Sequence, residues 1–384
     1  MRSTPLSKLL AAHIRKRGPI TFADYMEACL YHPKHGYYAR PEARRFANYY
    51  TSVDVHPIFG RLLARQLAEM WEVLGRPAEF TAVEAGAGTG RLAAQILDFS
   101  ARALPDFFRA LRYVAVERSA ARRTALKGAL EAAVAAYSAP ALHSARAGAA
   151  ARIPRTISAG CIFSNELLDA LPVHRVMCER GELREIYVGA KGEGFREVAG
   201  PVSSPLVKKY FSAQGLSLSE GQHAEAGIEA CRWIAEAAAR LQRGFVLTID
   251  YGHAAAELYG ERHRRGSVLA YANHRASEDL YAAPGEQDLT AHVNFTALQL
   301  LPTQPRRRPL VTSGLVSQTH FLLALGRGNE FGDLYDQGQS EAEQFQARLG
   351  LKTLIHPEGM GEMFKVLIQH KRIEAPRLTG LQPL

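Results

Sequence analysis

Residues 80–92 read FTAVEAGAGTGRL. Glu84, Gly86, Gly88 and Gly90 make an ExGxGxG frame between an apolar run and a stretch with helical spacing. Glycine lacks a Cβ, so the backbone can turn tightly and pass close to a ligand. The frame is not the GxGxxG of a dinucleotide site, because position 91 is Arg, and the Gly-Lys-Ser/Thr of a P-loop is absent. It fits an S-adenosylmethionine site, in which the glycines pass the amino-acid end of the cofactor rather than a phosphate. A second acid, Glu117, ends the strand-like run 111–117 (LRYVAVE), one helical crossover later. A carboxylate there can accept both hydroxyls of a ribose. Taken singly, the glycines fit a turn of any α/β protein and Glu117 a helix-capping acid. Together they support one another.

Two more apolar runs end in polar groups. Residues 160–164 (GCIFS) lead into NELLDALPVH, and GFVLTID ends at Asp250, followed by Tyr251 and Gly252. Asn165 opens the first of these loops. Glu166 and Asp169 are three apart, so one helical turn would bring both carboxylates to one side. Such a pair matches the fork of a guanidinium. Guanidinium is always protonated and a poor nucleophile. Carboxylates can orient one nitrogen toward a methyl sulfonium and accept the developing charge, and either acid could take the leaving proton. Asp250 and His292 are further catalytic candidates, with His174 and His253 behind them. The plainer alternative is that Glu166 and Asp169 cap a helix, Asp250 caps a turn and the histidines are structural.

These residues need elements to hold them. The pattern predicts a helix over 7–16, closed near Gly18-Pro19, and a second helix capped by Thr21 with Asp24. Two turns rich in aromatic and polar residues follow, at 31–40 and 49–60. They could fold over the cofactor mouth as a lid, or simply pack tyrosines against the domain. Strands are expected at 80–83, 111–117, 160–164, 244–250, 267–271 and 364–370, with an uncertain one at 153–157. Residues 173–189 read as a hairpin turning at Arg180-Gly181. Residues 189–221 read as an irregular insertion, and 224–241 as a helix. The last third alternates loops and helices before the final strand. This order implies an α/β fold: an open, doubly wound, mostly parallel sheet with an N-terminal helical extension and an inserted lobe. The expected divisions are 1–50, 51–175, 176–223 and 224–384.

Composition narrows the class. With 384 residues and 47% hydrophobic content, the chain can bury one large core or two domains. Four widely spaced cysteines without a CxxC fit a reducing compartment. Fourteen histidines show no zinc spacing, and no metal site is expected. No stretch is apolar enough to span a membrane. The basic, amphipathic start lacks the core of a secretory signal. It has some likeness to an organellar targeting segment, but an ordinary helix is favoured. The net charge of +9 permits acidic partners, nucleic acid among them. Arg306–Arg308 is the densest basic run, but no stacking aromatics are interleaved with it, so a solvated loop is favoured.

Several stretches together resemble the MidA-like family of class I S-adenosylmethionine-dependent methyltransferases, which includes the mitochondrial complex I assembly-factor methyltransferase. They are GPITFADYMEACLYHPKHGYY, YYTSVDVHPIFG, VEAGAGTGRL, SNELLDALPVH, IDYG, PGEQDLTAHVNF and HPEGMGEMFKVL, in family order across nearly the whole chain. The resemblance implies a class I methyltransferase fold and S-adenosylmethionine as cofactor. It places Gly86, Gly88 and Gly90 in the cofactor loop and Glu117 on the ribose. Asn165, Glu166 and Asp169 become the signature loop facing the methyl donor. The family loop often reads GPGRG. Here it reads GAGTG, so a Pro and an Arg are missing while the glycine frame survives.

The implied activity is dimethylation of arginine in a protein, a core subunit of respiratory complex I being the candidate partner. A small-molecule or RNA methyltransferase, and a non-enzymatic assembly module, are the alternatives. The acidic NELLD loop would repel RNA phosphates and favours an arginine target. A homodimer is compatible with these features. A cytoplasmic protein is expected, or one of the mitochondrial matrix if the source is eukaryotic. In calorimetric titration the protein should bind S-adenosylmethionine and its demethylated product, but not NAD. A bulky residue at Gly86 or Gly88 should abolish that binding while the chain stays folded. Tight NAD binding, or normal cofactor binding by such a variant, would refute the assignment.

Overall fold

The structure is a computed structural model that describes residues 3–39, 51–135, 137, 145–192, 194–272, 275–301 and 310–384. Arg306–Arg308, Tyr49 and Tyr50 lie outside the described residues. Contacts divide the chain into two units. One gathers Thr51–Leu167, Ile234–Tyr251 and Pro305–Leu384; the other gathers Met1–Tyr50, Leu168–Trp233 and Gly252–Gln304.

The apolar runs of the first unit become strands because β-branched and aromatic side chains suit a buried pleated surface. In chain order these are β1 (Phe80–Ala85), β2 (Leu111–Val116), β3 (Arg146–Ala150), β4 (Ile157–Asn165), β5 (Leu241–His253), β6 (Val311–Ser317) and β7 (Phe364–Lys371). Their spatial order is β3-β2-β1-β4-β5-β7-β6. Pairing is parallel from β3 through to β5. Strand β7 runs antiparallel to both β5 and β6. The expected open, mostly parallel sheet is therefore present. Its order reverses beside β1, and in such sheets ligands bind outside the carboxyl ends of the strands there. Phe80, Phe163, Phe245 and Leu247 are fully buried in one core with Leu62, Ile96 and Phe321. Each such side chain contributes on the order of 1.5–3 kcal/mol of hydrophobic stabilisation.

Two strands differ from expectation. Of the uncertain strand at 153–157 only Ile157 is extended, as the first residue of β4, and the strand that pairs with β2 is Arg146–Ala150, in register from Arg112↔Arg146 to Val116↔Ala150. An Ala/Gly-rich segment carries little β-propensity of its own, and the waiting edge of β2 decides its conformation. Residues Val311–Ser317 also form a strand where loops and helices alone were expected.

The second unit is largely antiparallel. Helices Pro5–Arg17 and Phe22–Tyr31 are capped by Thr4 and Thr21. His174–Glu179 and Glu182–Lys191 form the expected hairpin, with Arg180 and Gly181 both at positive φ, as a tight hairpin turn requires. The segment 189–221 is not irregular. It carries the strand Gly194–Gly200 and the helix Pro205–Ser212. A three-stranded sheet joins Arg275–Ser277, Leu269–Ala272 and Asp288–Thr290. Phe22, Tyr25, Met26 and Tyr37 share a core with Val188, Ala270 and Leu289. The N-terminal extension, the insertion and residues 252–304 thus form one unit, where the sequence divided them among three. They share that core, which no spacing along the chain reveals.

Close approach of strands constrains Gly160. A Cβ there would lie 2.0 Å from the carbonyl oxygen of Thr81 on β1. Gly160→Ala should therefore destabilise the protein by roughly 1–3 kcal/mol, the scale of overpacking a tight interior. Urea unfolding would measure the loss; an unchanged midpoint would show that β1 and β4 can separate without cost.

Candidate active site

The glycine loop caps the carboxyl ends of β1 and β2. The Gly86 and Ala87 N–H groups donate to the Val116 carbonyl, at 2.9 and 3.1 Å. Gly86, Gly88 and Gly90 have φ of 78°, 53° and 79°, a region that only glycine enters without strain. A Cβ on Gly90 would also lie 2.3 Å from Leu126 Cδ1. The helix Arg91–Ala103 begins immediately after the loop. Glu84 is buried beneath it, and the Tyr113 hydroxyl donates to its Oε2 at 2.6 Å. Burial raises its pKa to about 8, against the pull of the Tyr113 bond. Glu84, expected among the cofactor-binding residues, is thus engaged by Tyr113 through one of its oxygens.

Glu117 lies at the end of β2 and is buried rather than exposed. Its Oε1 accepts the Ser119 N–H at 2.8 Å, and Arg122 stands 3.7 Å from Oε2.

Asn165 ends β4, and the chain then turns sharply. Glu166 has φ of 52°, and no helix covers 166–169. The helical spacing expected to bring Glu166 and Asp169 to one side does not occur, because the left-handed residue redirects the chain. The Glu166 N–H donates to the Ile249 carbonyl at 3.0 Å. Its Oε1 accepts from the Ser52 N–H at 2.9 Å and Asn165 Nδ2 at 3.1 Å. Asn165 Oδ1 is buried without a hydrogen-bond partner among the described residues. Asp250, wholly buried, accepts the Leu167 N–H at 3.1 Å and its neighbour's Tyr251 N–H at 3.0 Å. It thus orders the loop that carries Glu166. The 51–55 segment reaches the same region: Asp54 pairs with Arg91, and Gln95 Nε2 donates to the Val53 carbonyl at 3.1 Å. This stretch is therefore tied to the helix that follows the glycine loop. The tyrosines of the other turn instead pack within the second unit, where the Tyr31 hydroxyl donates to the Ala170 carbonyl.

Asp169 belongs to the second unit. It is buried, and its carbonyl accepts the Ala291 N–H at 2.9 Å. The Tyr38 hydroxyl donates to Asp288 Oδ1 at 3.1 Å. Burial, then the charges of Asp288, Tyr31 and Asp169, raise the Tyr38 pKa. Burial, Asp169 and Asp288 do the same to Tyr271. Two carboxylates and two phenols are thus grouped. Asp288 was not singled out from sequence, although it lies in the family-like stretch PGEQDLTAHVNF. His174 is accounted for structurally, its Nδ1 lying 2.7 Å from Glu185 Oε1. His292 clusters with His253 and His263. Burial, then His253 and His263, lower its pKa to about 4, so it is neutral at physiological pH and a weak base.

The sheet unit brings together a tight glycine turn, a strand-end carboxylate and a buried amide oxygen with no hydrogen-bond partner among the described residues. A family described as "putative S-adenosyl-L-methionine-dependent methyltransferase" matches residues 62–307. The chain belongs to that family. This methyltransferase is 27% identical over 403 residues to the Drosophila melanogaster protein arginine methyltransferase NDUFAF7 homolog, mitochondrial, covering 97% of this chain and 86% of the relative. The Homo sapiens mitochondrial protein arginine methyltransferase NDUFAF7 is 26% identical, with 97% and 86% covered. A Burkholderia thailandensis crystal structure bound to S-adenosyl-homocysteine superposes on the methyltransferase with a TM-score of 0.83 and 29% identity, over 99% of this chain and 97% of that one. S-adenosyl-L-methionine is accordingly the cofactor of the methyltransferase.

Glu84 gives the methyltransferase a pH signature. A carboxyl whose folded pKa lies above its unfolded value adds stability that is complete below the unfolded value and is lost as pH rises to the folded one. Without cofactor, wild type should lose stability relative to Glu84→Gln between about pH 5 and 8, by up to about 1.4 kcal/mol per pH unit. Urea unfolding across that range measures the difference, and a constant difference would mean that Glu84 is ionised throughout.

Proposed function

We propose that this methyltransferase acts on arginine side chains of a protein, with a core subunit of respiratory complex I as the target to test first. The observation that carries the reading is Glu166. Its carboxylate stands at the end of β4, with Oε1 held by the Ser52 N–H and Asn165. The similarity to protein arginine methyltransferases adds support. S-adenosylmethionine supplies an electrophilic methyl group when bound. We assign Gly86, Gly88, Gly90, Glu117 and Asn165 to holding it. Glu84 supports that loop from beneath, through Tyr113.

Glu166 orients one guanidinium nitrogen and takes the proton which that nitrogen loses on methylation. A protonated guanidinium is a poor nucleophile, so orientation and charge compensation are the tasks left to the protein. Asp250 acts as a positioning residue, because both its oxygens are engaged by backbone N–H groups. In the second unit, Asp169 and Asp288 with Tyr38 and Tyr271 favour a cationic substrate segment. Four buried thiols without a disulfide support a reducing compartment, the cytoplasm or a mitochondrial matrix.

Glu166→Gln keeps the Oε1 acceptor and removes the charge. It should leave cofactor affinity nearly intact and lower methyl transfer at least about tenfold, or about 1.4 kcal/mol of transition-state stabilisation. Asp169→Asn should lower transfer as well. The readout is labelled methyl incorporation from host lysate, with the modified residue mapped. Full activity in both variants, or a methyl group on a non-arginine atom, would overturn the arginine reading.

A further inference from the structure

Three histidines of the second unit come from separate elements. His253 is the last residue of β5, His263 ends the short turn Glu261–His263, and His292 precedes the strand Val293–Asn294. That strand pairs in parallel with Gly252–His253, which fixes His253 beside the His292 segment. The His292 N–H is anchored on Ser267 Oγ at 3.1 Å. One nitrogen from each ring lies within 4.8 Å of the other two.

The ring arrangement is not a stack. Centroids are 5.1, 5.2 and 5.4 Å apart, with interplanar angles of 41°, 44° and 70°. Three imidazoles bound to one tetrahedral ion at about 2.0–2.1 Å would have centroids roughly 5 Å apart. The rings already have that separation. His253 Nδ1 lies 2.8 Å from Glu257 Oε1, a charge contact without the alignment of a hydrogen bond. His263 Nε2 is buried and has no hydrogen-bond partner among the described residues.

We propose that His253, His263 and His292 form a binding site for a divalent transition-metal ion, Zn²⁺ foremost, with the Glu257 carboxylate beside His253. Three imidazole ligands suit Zn²⁺, Cu²⁺ or Ni²⁺ and exclude Mg²⁺ and Ca²⁺, which take oxygen ligands. Three protein ligands leave a fourth position for water or a substrate group. Arg262 adds an opposing positive charge, which Glu257 offsets. The ion would cross-link the end of β5, the 261–263 turn and the segment before Val293. The spacing 253, 263, 292 matches no zinc motif, so the site is absent from a linear reading.

The test uses the full chain without a histidine tag, stripped with chelator. Equilibrium dialysis should show one Zn²⁺ per chain, with no displacement by excess Mg²⁺. Co²⁺ should give the intense visible bands of a tetrahedral site. His263 is only partly buried, so His263→Ala should fold, keep the wild-type melting temperature in chelator and lose at least about tenfold in Zn²⁺ affinity. Zn²⁺ should raise the melting temperature of wild type and not of the variant. Substoichiometric Zn²⁺ on wild type, or a weak octahedral Co²⁺ spectrum, would overturn the site even if the variant failed to fold. Equal Zn²⁺ affinity in His263→Ala would do the same.

Discussion

Asp250 is wholly buried at the end of β5, and its carboxylate accepts the Leu167 and Tyr251 N–H groups. A buried carboxylate survives only where hydrogen bonds replace its hydration. The loop after β4 must therefore run where Leu167 can supply one of them. The Glu166 N–H is likewise taken by Ile249 of the same neighbouring strand. With the backbone held on both sides, Glu166 can occupy a left-handed conformation that a carboxylate-bearing residue rarely adopts. Its side chain is aimed by the backbone, which costs less entropy than positioning a long flexible side chain through its own contacts.

The same economy governs the glycine turn. Two successive N–H groups close on the Val116 carbonyl, and the Asp54–Arg91 pair ties the 51–55 segment to the first residue of the following helix. Ser52 then spends its N–H on Glu166. The glycine turn, the 51–55 segment and Glu166 are thus linked through one ion pair and main-chain groups. An isolated exposed ion pair would add little. The Asp54–Arg91 pair matters here because it holds the 51–55 segment in place.

Features decided by local chemistry were legible. The glycine frame, the Thr21 cap and the Arg180-Gly181 turn each follow from what one or two residues can do with their own backbone. The strand-end acids were legible as positions, since apolar runs stop at them. Their roles were not. That Asp250 receives the Leu167 N–H, and that Glu84 receives the Tyr113 hydroxyl, depends on partners a linear reading does not show. The helical spacing of Glu166 and Asp169 failed because a positive φ at one residue cannot be read from a glutamate. Arg146–Ala150 was missed because its strand character comes from its partner. Asp288 depends on an antiparallel partner strand, and the histidine cluster on the parallel pairing of Gly252–His253 with Val293–Asn294, neither of which a linear reading shows.

The place of β7 bears on how the protein is made. It lies between β5 and β6 yet follows both in the chain. Val246 pairs with Gln369, across roughly 120 residues of intervening chain, a closure whose entropy must be met before any of its contacts are gained. Until the ribosome has released β7, one long flank of β5 stays open. An open strand flank can pair with another chain, so the nascent protein passes through an aggregation-prone interval that chaperones must cover. Expression yield should therefore be governed as much by elongation rate and holdase supply as by the stability of the finished fold.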